Sequence, residues 1–165
     1  MSPLANDLAR LLVRELEGFR REIELFPDDA SMWKTLPGIT NPAGNLALHV
    51  AGNLQHYVGA VLGRTGYVRQ RDAEFNCRDV SRAEVIAELE EAIRAVREVL
   101  TRLPADRLDQ PYPEAVMGTT VRTGLFLTHV ATHAAFHLGQ AGYLRRALTG
   151  DARTSGAVPV RVLSD

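Results

Sequence analysis

Cysteine is the scarcest reactive residue in this chain. One thiol among 165 residues, Cys77, excludes an internal disulfide and a cysteine-built zinc knuckle. An excess of charge is also missing. Nineteen Lys and Arg meet 20 Asp and Glu, for a formal net charge of −1, which argues against gripping nucleic acid or an anionic membrane by counterion release. No stretch reaches the roughly 20 consecutive apolar residues of a membrane span. The opening MSPLANDLARLLVREL carries an acid at Asp7 and does not read as a secretory signal. Alternation at period two is nearly absent, which removes sheets from consideration. These absences leave a cytoplasmic protein of one-domain size, large enough to bury a core without disulfides.

What is present is helical spacing. Leu4, Leu8, Leu11, Leu12, Leu16, Phe19, Ile23 and Phe26 recur at threes and fours and predict a helix over 3–26, closed by Pro27. A connection to Thr40 follows, with Trp33 as its anchor. Asn41-Pro42 reads as a helix start, asparagine capping and proline at the first helical position. The second helix then runs to Gly63–Gly66. Residues 67–80 are polar and read as a long loop or short irregular turns. Ser81 and Glu84 have the spacing of a capping box and open a third helix that Pro104 ends. A second long connection over 104–120 leads to a last helix from Thr120 to Leu148, stopped by Gly150. The expected class is all-α, a four-helix bundle over residues 1–150 with a tail over 151–165. The second and third connections are long enough to cross it.

The five histidines carry the chemistry. His129, His133 and His137 are spaced by four on the last helix, so neighbours stack on one face. Two imidazoles at that spacing can share an ion. The outer pair, about 12 Å apart along the axis, cannot. One histidine of the three is therefore left over. A third ligand must come from another helix, where His49 and His56 lie about 10 Å apart axially, so that one of them reaches. The last-helix face is otherwise apolar or small, from Leu125 and Phe126 to Leu138 and Ala141, and imidazoles buried there need hydrogen bonds or a metal. There is no Glu-x-x-His and no His-Glu-x-x-His, which sets aside the di-iron carboxylate centre and the zinc-protease helix. A three-histidine mononuclear site remains.

Two stretches, NPAGNLALHVAGNLQHYVGAVLG over 41–63 and HVATHAAFHLGQ over 129–140, resemble the DinB/YfiT-like superfamily of metal-binding four-helix bundles, with RQRDAEF over 69–75 as a further echo. The resemblance implies His49, His133 and His137 as the metal ligands and leaves His56 and His129 as neighbours. It also implies zinc or nickel, a homodimer, and in characterised relatives transfer or isomerisation that uses a low-molecular-weight thiol.

Three neutral imidazoles with an open fourth position describe a catalytic site rather than a closed structural one. The expected function is thiol-dependent S-transfer or isomerisation of a small electrophile, with no redox cofactor. A metal-dependent hydrolase and a non-catalytic metal-binding or stress-response dimer are the alternatives. Asn53, His129 and Gln140 are the candidates for supporting the ligands, and Glu15 is a candidate general base. Arg69, Arg71, Asp72 and Glu74 read as a solvated loop, or as groups for a charged substrate or a dimer ion pair. Trp33, Tyr57 and Phe75 read as packing residues, and Cys77 as a spectator.

Overall fold

The computed structural model describes residues 2–155 and 160–163. Its first helix, α1 (Pro3–Glu24), is capped by the Ser2 hydroxyl, which accepts from the Ala5 amide, and has proline in its first turn. Leu8, Leu12, Leu16, Phe19 and Ile23 form its buried stripe, while Leu4 stays half exposed. A 3-10 turn (Ala30–Trp33) follows. There the Trp33 ring packs against Gly44 and its Nε1–H donates to the Val80 carbonyl at 3.1 Å, so Trp33 ties the first connection to the second.

Helix α2 spans Ala43–Leu54 and continues as a π-helical segment over Gln55–Leu62. Its start differs from expectation in one respect. Pro42 itself occupies the cap position and no side chain caps the helix, so Asn41 does not act as the N-cap. In the stretch expected as loop, residues 71–76 form a short helix, α3 (Arg71–Asn76). Helix α4 (Arg82–Leu100) carries the full capping box, with Ser81 accepting from the Glu84 amide while Glu84 accepts from the Ser81 amide. A 3-10 turn (Ala105–Leu108) and two isolated bridges, Pro111 with Arg122 and Val116 with Thr119, order the third connection. Helix α5 (Thr123–Thr149) opens three residues later than expected and closes on Gly150 at φ 69°, a left-handed cap that glycine adopts without strain.

Helices α1 and α2 each pack against both α4 and α5, with fewer contacts between α1 and α2 themselves. Going around the bundle the order is therefore α1, α4, α2, α5. The first and third connections join helices at opposite corners. The second connection, expected from its length to cross, joins neighbours instead. Its length goes into α3, which packs on α2 and delivers side chains to the site described next. The core between the four long helices holds Leu12, Phe19, Leu54, Leu89, Leu100 and Leu127, all fully buried. No helix among the described residues is long and apolar enough to cross a membrane.

Candidate metal centre

His49 comes from the middle of α2, and His133 and His137 from successive turns of α5. Because α2 and α5 are neighbours, the three rings meet. The Nε2 atoms of His49 and His133 lie 3.3 Å apart, those of His133 and His137 3.1 Å apart, and one ligand atom from each ring falls within 4.8 Å of the others. A tetrahedral ion with metal–nitrogen bonds of 2.0–2.1 Å requires donor atoms about 3.3 Å apart. The cluster is thus compatible with a divalent metal ion.

The outer nitrogens of His49 and His137 say which tautomer those two rings adopt. His49 Nδ1 lies 2.9 Å from the Glu74 carboxylate, and His137 Nδ1 lies 2.8 Å from Gln140 Oε1. Both partners are oxygens that accept, so both Nδ1 atoms carry the proton, and the Nε2 lone pairs of His49 and His137 point into the cluster. Lone pairs converging on one point repel unless a proton or a cation lies between them. Burial, then the neighbouring His137 and His49, pushes His133 down to about 4, and burial lowers His137 as well. Neutral imidazoles are the form that ligates metal.

Glu74 is the residue that sequence reasoning placed wrongly. Expected in a solvated loop, it is buried on α3, where Arg69 donates to both of its oxygens, at 2.7 and 2.8 Å. Burial works against its ionisation, but the hydrogen bonds from Arg69 and His49 outweigh that and hold the carboxyl below its ordinary value. Arg69 in turn lies over the Tyr57 ring, 5.6 Å from its centroid. Two features of α2 make room for this. Asn45, one turn before His49, donates to the carbonyls of Glu74 and Cys77 at 2.7 and 3.0 Å and so pins α3. Gly52 lets the carboxylate approach, since a methyl group there would overlap it. The glycine three residues past His49, with Asn45 one turn before it, was the available signal.

The other expected residues fall as follows. Gln140 bonds His137. His129 is exposed, one turn before His133, with ring centroids 6.1 Å apart, and stacks on Phe126. Asn53 is buried with its Oδ1 unpartnered among the described residues. His56 pairs with Glu114 at 3.3 Å. Glu15 is buried and ion-paired with Arg14, an arrangement that does not present it as a base to the imidazoles. Phe75 packs on the His49 ring, with centroids 4.7 Å apart. Leu125, expected on the core face of the last helix, is exposed. Arg71 lies over Phe75, and Cys77 is half-buried at the end of α3, its carbonyl rather than its thiol engaged by Asn45.

A four-helix bundle with one histidine from α2 and two from α5 around a common point is the class that fold and site define. The family model for mycothiol-S-transferase matches residues 7–150, and the chain belongs to that family, part of the DinB/YfiT-like superfamily. Among solved structures it is similar to the crystal structure of a conserved protein from Enterococcus faecalis. That likeness has a TM-score of 0.72 at 15% identity, and covers 92% of this chain and 99% of the other. At that identity it is a likeness of fold. No curated protein matches the chain significantly.

Proposed function

We propose that this chain is a metal-dependent S-transferase that joins the sulfur of a low-molecular-weight thiol, mycothiol by family, to a small electrophile. The observation that carries the reading is the convergence of three imidazole Nε2 atoms, with the rings of His49 and His137 held from behind through Nδ1. His49, His133 and His137 would hold a divalent ion, zinc or nickel, both of which accept imidazole ligands. Bound there, the ion would act as a Lewis acid that lowers the pKa of a thiol. The chain's own residues do the rest. Glu74 keeps the proton of His49 on Nδ1, and Arg69 keeps Glu74 ionised so that it accepts that proton's hydrogen bond. Gln140 does the same service for His137. Burial keeps His133 neutral, and the apolar wall formed by Phe75 limits water at the His49 ring. A homodimer belongs to the same reading, with Leu125 and Phe136, exposed on α5, as the side chains a second copy would cover.

The test is metal content and turnover together. Untagged protein is expected to carry about one equivalent of zinc or nickel, and His133→Ala to lose at least about 100-fold in metal affinity and all thiol transfer. Wild-type protein that takes up no divalent ion in a titration would sink the proposal. Light scattering reads the mass of the assembly.

A further inference from the structure

A cavity of about 600 Å³ opens on the His137 side of the cluster, between α5 and the connection that precedes α2. It lies toward the C-terminal end of α5, whereas His129 and Phe126 flank the cluster on the other side. His137 and Gln140 form one end of the cavity; Leu36, Ile39 and Leu144 are among its apolar walls, and the neutral side chains of Thr40, Asn41 and Tyr143 also line it. Among the described residues, no lysine, arginine, aspartate or glutamate lines it. The size is that of small-molecule sites, which lie in the range of about 300–1,000 Å³.

The wall opposite α5 is preformed. Pro37 and Gly38 occupy the centre of a turn in which the Ile39 amide donates to the Leu36 carbonyl at 2.9 Å, with Gly38 at φ 83°. Proline followed by glycine at positive φ is the signature of a type II turn, and only glycine takes that φ without strain. The turn carries Leu36 and Ile39, 37% and 47% exposed and so open to a ligand.

We infer that this cavity is the acceptor subsite and takes the uncharged, apolar body of the electrophile, with its reactive carbon at the His137 end. The inference rests on the S-transfer reading above and adds the substrate class. A polyhydroxylated thiol would lose hydration against Leu36, Ile39 and Leu144, and the neutral Thr40, Asn41 and Tyr143 would return only part of it. An aryl or alkyl group gains from the same burial. With an epoxide the step is an addition. The sulfur electron pair forms the S–C bond, the ring C–O bond breaks, and the proton released by the thiol ends on the new alcohol oxygen.

The experiment has a binding arm and a turnover arm. In the first, the neutral fluorophore N-phenyl-1-naphthylamine is titrated into metal-free and metal-loaded protein. Saturable binding at one site per chain is expected, weakened at least about 10-fold in Ile39→Asp, which sets a carboxylate where the bound fluorophore would cover it, and restored in Ile39→Leu. Circular dichroism checks that each variant is folded. In the second arm, metal-loaded protein with mycothiol is offered styrene oxide or its para-carboxylate analogue. The neutral epoxide is expected to give a kcat/KM at least about 10-fold higher, and Ile39→Asp to raise its KM more than it lowers kcat. No saturable binding, or equal binding by folded Ile39→Asp, overturns the subsite. Ile39→Asp becoming a monomer while the fluorophore binds as before assigns the face to contact between copies and also overturns it. Fluorophore binding that Ile39→Asp abolishes, with no transfer by any thiol, leaves the subsite standing and removes the S-transfer reading. Transfer indifferent to Ile39→Asp does the reverse.

Discussion

Two buried carboxylate–guanidinium pairs sit in different parts of this bundle, and they have opposite kinds of third partner. At the site, Glu74 is held by Arg69, five residues away in sequence, and gives its remaining acceptor capacity to the ring of His49. At the α1–α5 contact, Glu22 is held at 2.6 Å by Arg145, 123 residues away. Its other oxygen accepts from the Ser155 backbone at 2.9 Å, and Arg145 also donates to the carbonyls of Asp151 and Arg153. Both side chains of the second pair are essentially inaccessible, 0% and 2% exposed. The same ionic chemistry therefore orients an imidazole in one place and fastens backbone in the other. The difference teaches that burial of an ion pair alone does not mark a functional site. What the leftover hydrogen bonds reach does.

That contrast can be broken from either side. The largest effect is expected from Glu22→Ala, which leaves Arg145 charged and enclosed. A buried pair that loses one partner destabilises by roughly 3–5 kcal/mol, and denaturant unfolding should show it while metal affinity of the folded fraction stays unchanged. Glu74→Gln should invert the pattern. It keeps the shape but weakens the acceptor for His49, and should cost about 10–100-fold in metal affinity, read by competition with a chelator, with a smaller loss of stability than Glu22→Ala. Gln140→Leu removes the weaker, neutral acceptor behind His137 and should fall near 10-fold or below in the same assay.

Acid supplies a milder probe. Burial opposes ionisation of Glu22, but hydrogen bonds from Arg145 and Ser155 outweigh it and hold its pKa below the ordinary value. A depressed carboxyl contributes stability that is complete above the unfolded pKa, about 4.3, and that is lost as pH falls through the folded pKa. The stability gap between wild type and Glu22→Gln should therefore be constant near neutrality and shrink below about pH 4. A gap that widened in acid would contradict the assignment.

Legibility followed the range of the interaction. The capping box at Ser81 and Glu84 and the glycine stop at Gly150 are local, and both were readable from a few adjacent residues. The helical stripes were readable for the same reason, since burial of Leu12, Leu16 and Phe19 follows their spacing. The histidines of α5 stand a turn apart, so their common face was also visible. Glu74 was not, because its burial depends on α3 docking against α2 through Asn45 and Gly52, contacts between segments some 20–30 residues apart. Nor were Glu22 and Arg145, which each resemble an ordinary solvated charge on an amphipathic helix. Asn41 misled in another way. Its pairing with Pro42 is a sound local signal, but the helix begins one residue later and the proline takes the cap position.

The fastening of Glu22 also bears on how the chain is made. Synthesis delivers α1 before residues 145–155, so Glu22 has none of its native partners while α2, α3 and α4 emerge. An unpaired carboxylate on the inner face of α1 resists burial, which should keep α1 from settling into its final packing too early. Closure then waits for Arg145 and the backbone of Asp151, Arg153 and Ser155. The imidazoles of α5 lie just upstream of those residues, so the metal centre and the fastening of α1 would be completed together, after the other three long helices have emerged.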